Sequence, residues 1–112
     1  MKVKTERYAS MLLKEINDIL YTEVRDKDII GVTATYINLA DDLGYAKIYC
    51  SVFNKEKKDK AIYDLNNAKG FIKSILFKKK LPMRKIPDLE FVYDDSIEQG
   101  QEMEKIIENT NK

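Results

Sequence analysis

Two segments with apolar residues at helical spacing meet at Ala68-Lys69-Gly70, and this junction constrains the fold more than any other feature of the chain. Apolar residues at helical spacing lie on both sides of it: Ile62, Leu65 and Ala68 before, and Phe71, Ile72, Ile75 and Leu76 after. A glycine inside a helix costs about 1 kcal/mol relative to alanine. The pattern therefore predicts two helices joined by a kink, with Gly70 in a conformation, or a close helix–helix approach, that a side chain would disturb.

Positive charge is concentrated directly after this junction. Seven basic residues and no acidic residue lie between positions 69 and 85: Lys69, Lys73, Lys78, Lys79, Lys80, Arg84 and Lys85. Residues 86–112 carry two basic and eight acidic side chains, so one face of the molecule is expected to be polarised. We predict that the seven basic residues, with Gly70 at the kink, contact nucleic-acid phosphates. The alternative is a solvated helix surface, which is common for lysine runs.

The geometry of the basic segment can also be predicted. Lys69, Lys73 and Lys80 would share one helix face, whereas Lys78 and Lys79 would fall beside the apolar stripe. The helix is therefore expected to end near Phe77, with the lysines at its C-terminus, where the helix dipole favours cations. Arg7, Lys14, Asp18 and Arg25 cluster on one side of the first helix. This side could contact phosphate, although the pattern favours a solvated outer face.

Composition excludes several classes of function. The 112 residues are enough for one domain, and 44% are hydrophobic and 35% charged. The chain has no histidine, which removes histidine-based acid–base catalysis and the usual zinc sites. Cys50 is the lone cysteine and lies in a strand pattern, so we expect a buried, inert thiol. No run approaches membrane-spanning length and no signal peptide is evident, so no membrane, cofactor, metal or catalytic group is expected.

The remaining periodicities predict an α+β fold. The elements expected in order are a helix over 4–24, strands over 30–39 and 45–53, a helix from Lys55 to the kink, a helix ending near Phe77, a strand from Ile86 or Leu89 to Tyr93, and an acidic helix within 96–112. The first strand changes phase near Thr35-Tyr36, which predicts a bulge. A helical crossover before the last strand gives a three-stranded mixed sheet with helices on one face.

Two further features allow functional alternatives. Tyr45, Lys47 and Tyr49 form an outward row that resembles a base-stacking platform, although a wet sheet face also carries such residues. Asp41-Asp42 and Asp94-Asp95 could be imagined as a carboxylate metal site for phosphodiester cleavage. Adjacent aspartates on a strand point to opposite faces, and turn chemistry explains them equally well, so a nuclease is only a remote alternative.

The order helix–strand–strand–helix–kink–helix–strand is that of a type II KH domain, but the GxxG loop that clamps nucleic acid in KH domains is absent. Ala68-Lys69-Gly70 stands in its place. With this departure the chain resembles ribosome-binding factor A from about Arg7 to Ile107. The matching segments are residues 32–35, 42–52, 65–73 and 84–98. Asp26-Lys27-Asp28 departs from the family's usual Asp-Pro-Arg.

This resemblance implies a KH-like RNA-binding domain over residues 4–95 and an acidic C-terminal helix or tail over 96–112. It implies a cytoplasmic, monomeric assembly factor that is not an enzyme. Such a factor binds the free small ribosomal subunit, assists late maturation and processing of its rRNA, and matters especially in the cold. In some bacteria an assembly GTPase assists its release. The alternative is a generic KH-like binder of single-stranded nucleic acid.

Overall fold

The predicted order of helices and strands is confirmed by a computed structural model, which describes residues 3–24, 29, 31–83 and 85–96. The elements are α1 (Val3–Thr22), β1 (Val32–Leu39), β2 (Tyr45–Val52), α2 (Lys58–Asn67), α3 (Lys69–Lys78) and β3 (Asp88–Tyr93), with a 3-10 turn (Lys55–Lys57) before α2. The helix expected within 96–112 lies outside the described residues, apart from Ser96.

The three strands form one mixed sheet in the order β1-β2-β3. β1 and β2 are antiparallel, whereas β2 and β3 are parallel and joined by the α2–α3 crossover. The register between β1 and β2 shifts between Ala34 and Tyr36, which confirms the bulge expected at Thr35-Tyr36. Because of the extra residue, Ile37 and Leu39 face the same side as Val32 and Ala34.

The core lies between one face of this sheet and the helices. Leu12, Ile16 and Ile19 are spaced on one side of α1 and are fully buried. Ile48 and Phe91 project from the central and last strands into the same cluster. The core also contains Cys50, and burial, together with the negative charge of Asp94, raises the pKa of its thiol to about 12. The expectation of an inert, buried cysteine is confirmed.

The kink is present, but Ala68 makes it and Gly70 does not. Ala68 has φ −91° and ψ 1°, away from helical values, and separates α2 from α3. The amide of Ile72 already donates to the Ala68 carbonyl at 3.0 Å, so the helix resumes at once. Gly70 is the second residue of α3, and a Cβ added there would meet nothing within 4 Å. The prediction of a special conformation or a close approach at Gly70 is therefore wrong.

The apolar stripe of α3 is also rotated relative to the prediction. Ile72 and Leu76 are fully buried, whereas Phe71 is 52% exposed. Ala61, Leu65, Ile72 and Leu76 are all fully buried and keep one helical spacing across the kink, whereas Phe71 lies about 100° around the helix from Ile72. The expectation that Phe71 belongs to the buried stripe is therefore wrong.

These observations change the expected effect of substituting Gly70. Gly70→Ala should raise the free energy of unfolding by about 0.5–1 kcal/mol, because alanine is the better helix former and its methyl group has space. Gly70→Val should leave it within about 0.5 kcal/mol, since valine falls between glycine and alanine in helix propensity. Thermal unfolding followed by circular dichroism measures both.

The matched control is Gly31→Ala. Gly31 has φ 89°, and a Cβ there would lie 3.1 Å from the Cβ of Phe53, so this alanine should be clearly destabilising. A large loss of stability for Gly70→Val, similar to that of Gly31→Ala, would show that Gly70 does shape the kink.

Two asparagines satisfy the backbone of the two outer strands. Asn17 of α1 donates from Nδ2 to the Ala34 carbonyl (2.9 Å) and accepts from the Ala34 amide (2.7 Å) in β1. Asn66 of α2 makes the same two bonds with Phe91 in β3, each 2.9 Å long. Both strands are outermost in the sheet, so these mid-strand groups have no neighbouring strand to pair with on that side. Each side-chain amide therefore satisfies one donor and one acceptor.

Candidate nucleic-acid interface

The structure divides the basic segment into two clusters. Lys69 and Lys73, here called the edge cluster, lie on the first turns of α3 beside Tyr45, Asp88 and Glu90 at the edge of β3. The second cluster surrounds a cleft between the end of α3 and the segment that leads to β3. The cleft is lined by Phe77, Lys78, Lys80, Leu81, Met83, Lys85 and Ile86. Arg84, also a predicted contact, lies outside the described residues.

One lysine of the edge cluster is paired with a carboxylate. Nζ of Lys73 is 2.7 Å from Oδ1 of Asp88. The hydrogen bond and positive charge of Lys73, with smaller effects of Lys85 and Lys69, hold the pKa of Asp88 below its ordinary value. The basic segment has no acidic residue in sequence, but the crossover brings Asp88 against it. The expectation that these lysines are free of nearby acids is wrong for Lys73.

Lys79 connects two helices. Its Nζ lies 3.0 Å from Oε2 of Glu15 and 3.3 Å from Oδ2 of Asp18, both on α1. These hydrogen bonds raise the pKa of Lys79 above its ordinary value. A lysine held between two carboxylates is poorly placed to neutralise a phosphate, so we leave Lys79 out of the proposed contact surface.

Lys80 does not share a helix face with Lys69 and Lys73, as the sequence predicted. The helix ends at Lys78, close to the expected end at Phe77. Lys80 follows in the left-handed region, with φ 52°, and its amide donates to the Phe77 carbonyl at 3.3 Å. The chain turns there as it does after many helices, although a glycine is more usual at such a position. This turn carries Lys80 away from the helix face and to the rim of the cleft.

The cleft combines an apolar floor with unpaired positive charge. Leu81, Met83 and Ile86 are partly buried against the core, and they line a volume of about 450 Å³. Phe77 stands at its margin with 77% of its surface exposed. In the part of the chain that the structure describes, no carboxylate forms an ion pair with the rim lysines. The rim lysines are Lys78, Lys80 and Lys85. Of the predicted phosphate contacts, these are the best placed for a polyanion.

The open face of the sheet is built as predicted, with Tyr45, Lys47 and Tyr49 pointing away from the core. The rings of Tyr36 and Tyr49 lie 5.7 Å apart between centroids, and Nζ of Lys47 lies 5.8 Å from the Tyr49 ring. Lys47 faces Glu90 across the β2–β3 pair, so this surface has both signs of charge. The outward orientation is confirmed, and a role in base stacking stays a prediction.

The imagined carboxylate site is not formed. Asp41 and Asp42 precede β2 at the end where Tyr45 pairs with Asp88, whereas Asp94 and Asp95 follow Tyr93 at the other end of β3. Six strand residues place the two pairs roughly 20 Å apart. Asp94 instead accepts hydrogen bonds from the Thr35 hydroxyl (2.6 Å) and the Ser96 amide (3.0 Å), which lower its pKa.

The described residues offer neither a metal-binding cluster of side chains nor a membrane-spanning helix. Among them, no group of three or more cysteine, aspartate or glutamate side chains could hold a metal ion. None of the helices they form has the length and apolar character needed to cross a membrane.

The element order, the mixed sheet and the kink in place of a GxxG loop define an α+β domain of the type II KH-like class. The chain belongs to the ribosome-binding factor A family, whose model matches residues 4–107. Ribosome-binding factor A of Staphylococcus carnosus is 39% identical over 112 residues, covering 99% of this chain and 96% of the relative.

Two structural relatives share the fold. The crystal structure of ribosome-binding factor A from Thermus thermophilus superposes with a TM-score of 0.71 at 20% identity, over 80% of this chain and 93% of that one. A homology model of the Thermus thermophilus factor, fitted into a cryo-electron microscopy map of a complex with the 30S subunit, gives 0.65 at 20% identity. It covers 78% of this chain and 91% of that one.

Proposed function

We propose that this protein is a ribosome assembly factor that binds the free small ribosomal subunit through the lysine rim of the cleft. The observation that carries this proposal is the set of three lysines that form no ion pair with a carboxylate among the described residues. Family membership supports it, as does the related Thermus factor described in complex with the 30S subunit. The role extends to late maturation and processing of the small-subunit rRNA, with particular importance in the cold.

In this mechanism the lysines neutralise rRNA phosphates and the fold recognises the shape of an rRNA junction rather than a base sequence. Each phosphate contact adds roughly −0.9 to the slope of log affinity against log salt on a duplex. Residues 4–95 form the RNA-binding domain, and the acidic tail over 96–112 limits its footprint. The protein acts as a cytoplasmic monomer without enzymatic activity, and an assembly GTPase assists its release.

The generic KH-like binder is the weaker alternative. A GxxG clamp needs a loop between two helices whose backbone amides face the nucleic acid. Here the first turn of α3 forms directly at Ala68, with the Ile72 amide bonded to its carbonyl, so that loop has no place in the chain. Weak, sequence-indifferent binding to short RNA is the corresponding expectation.

Sedimentation with purified ribosomal particles tests the proposal. The protein should pellet with free small subunits, and the bound fraction should fall steeply as salt is raised. It should pellet much less with assembled ribosomes, and short single-stranded RNA should compete poorly. Equal retention by free subunits and assembled ribosomes would contradict an assembly factor. Tight binding to short RNA would favour the generic binder.

A further inference from the structure

Phe77 is a large aromatic side chain that is exposed to solvent beside an apolar cleft. It lies on the last turn of α3, 77% exposed, directly beside the apolar floor formed by Leu81, Met83 and Ile86. Single exposed apolar residues are ordinary, but an apolar surface continuous with a concave floor and bordered by polar groups marks an interaction site. The polar groups here are three lysines, none of which forms an ion pair with a carboxylate among the described residues, although Lys85 is near enough to Asp88 to help lower its pKa.

The chemistry of the cleft matches one kind of occupant. An exposed ring beside an apolar floor offers a stacking surface, and the lysines on the rim offer positive charge. A nucleotide combines a flat base, which has an apolar face, with an anionic phosphate. Proteins that bind single strands combine aromatic rings with a cationic groove in this way. The cleft, at about 450 Å³, falls within the roughly 300–1,000 Å³ typical of small-ligand sites, too small for a duplex.

The orientation of the rim supports the same occupant. Lys78 lies in the last turn of α3, and Lys80 is turned out of the helix by its left-handed backbone. Lys85 comes from the segment that leads to β3, and a Cβ placed on Gly44 would lie 3.4 Å from its Nζ and 3.3 Å from Oδ1 of Asp42. Cations on two sides of the floor can hold the phosphates on either side of one base. In a duplex the base faces are covered by stacking, so the base must be unpaired.

We propose that the cleft binds one unpaired rRNA nucleotide, whose base stacks on Phe77 and whose flanking phosphates contact Lys78, Lys80 and Lys85. This inference rests on the proposed function and specifies the ligand of its basic surface. An acidic protein segment, from a ribosomal protein or from residues 97–112 of this chain, would satisfy the lysines but is the competing outcome.

Site-specific cross-linking distinguishes these occupants. A photoreactive phenylalanine analogue at position 77, irradiated in the complex with free small subunits, should cross-link to an unpaired rRNA nucleotide. The control places the same analogue at Phe53, which is 91% exposed beyond the end of β2 remote from Gly44 and Lys85, and should give no rRNA cross-link. A cross-link from position 77 to a ribosomal protein or to residues 97–112 would overturn the proposal, as would no cross-link from bound protein.

Affinity gives a second, independent readout. Stacking of one base is worth about 1–3 kcal/mol by alanine substitution, so Phe77→Ala should weaken subunit binding by roughly 5- to 150-fold. Phe77→Trp should restore it, Phe53→Ala should change nothing, and the salt dependence should stay the same because no charge is removed. Unchanged affinity of Phe77→Ala would overturn the inference alone. Failure of the unmodified protein to bind free subunits would instead overturn the proposed function.

Discussion

The double variant Lys78→Glu/Lys80→Glu should bind free small ribosomal subunits at least about a hundredfold more weakly than the unmodified protein. Each lysine lacks an ion-pair partner among the described residues, so phosphate contact costs it no existing interaction. A charge-assisted contact is worth about 1.5–3 kcal/mol, and the two glutamates add repulsion. Binding measured at several salt concentrations should also show a slope smaller by about two.

The same variant should remain folded with only a modest loss of stability. Both lysines are exposed at the end of α3, where loss of a favourable interaction with the helix dipole costs about 0.3–1 kcal/mol for each. Lys55→Glu/Lys57→Glu is a matched control, since it makes the same change of charge in the 3-10 turn, where no residue is buried. Equal weakening of subunit binding by both double variants would show that the loss of affinity reflects only the change in net charge. Unchanged binding by Lys78→Glu/Lys80→Glu would move the site elsewhere, first to Arg7 and Lys14 on α1.

Asn66→Leu should be the most destabilising single substitution considered for this fold. Leucine has the same branched side-chain skeleton as asparagine but leaves the amide and carbonyl of Phe91 without the two bonds they now make. An unsatisfied buried backbone group costs about 1–3 kcal/mol, so the free energy of unfolding should fall by about 2–4 kcal/mol. For a domain of this size that lowers the midpoint by roughly 10–25 °C in thermal unfolding followed by circular dichroism.

Asn67→Leu is the control, because the next residue of α2 has the same side chain but is less buried and makes no bond to β3 among the described contacts. It should melt within a few degrees of the unmodified protein. If the two leucine variants melt together, the hydrogen bonds of Asn66 to β3 contribute nothing to stability. Subunit binding by folded Asn66→Leu at low temperature should be nearly normal, since Asn66 does not line the cleft.

Local periodicity was enough to predict the architecture of this protein. Alternation over 45–53 identified β2, and the change of phase at Thr35-Tyr36 identified a bulge that the register confirms. Helical spacing identified both helices of the crossover and the junction between them. These features depend on neighbours within a few residues, which is why the sequence alone is informative about them.

What the sequence could not predict depends on contacts between distant residues. Lys73 meets Asp88 and Lys79 meets Glu15 and Asp18 only because the crossover and α1 pack as they do. A run without acids therefore predicts uniformly available charge, although two of its lysines are paired. Helical spacing predicts only that the helix ends near Phe77, whereas the lysines that follow it and the apolar residues at 81, 83 and 86 form a cleft.

The placement of Asn17 and Asn66 also limits how this domain can associate with other chains. Many proteins bind a partner by letting it add a strand to an open sheet edge, and the same exposed edges promote aggregation. Here an added strand on either side would have to displace two side-chain hydrogen bonds at the middle of β1 or β3. Extension of the sheet is thereby disfavoured at the middle of both outer strands. Partners are therefore expected to approach the helices, the loops or the tyrosine face.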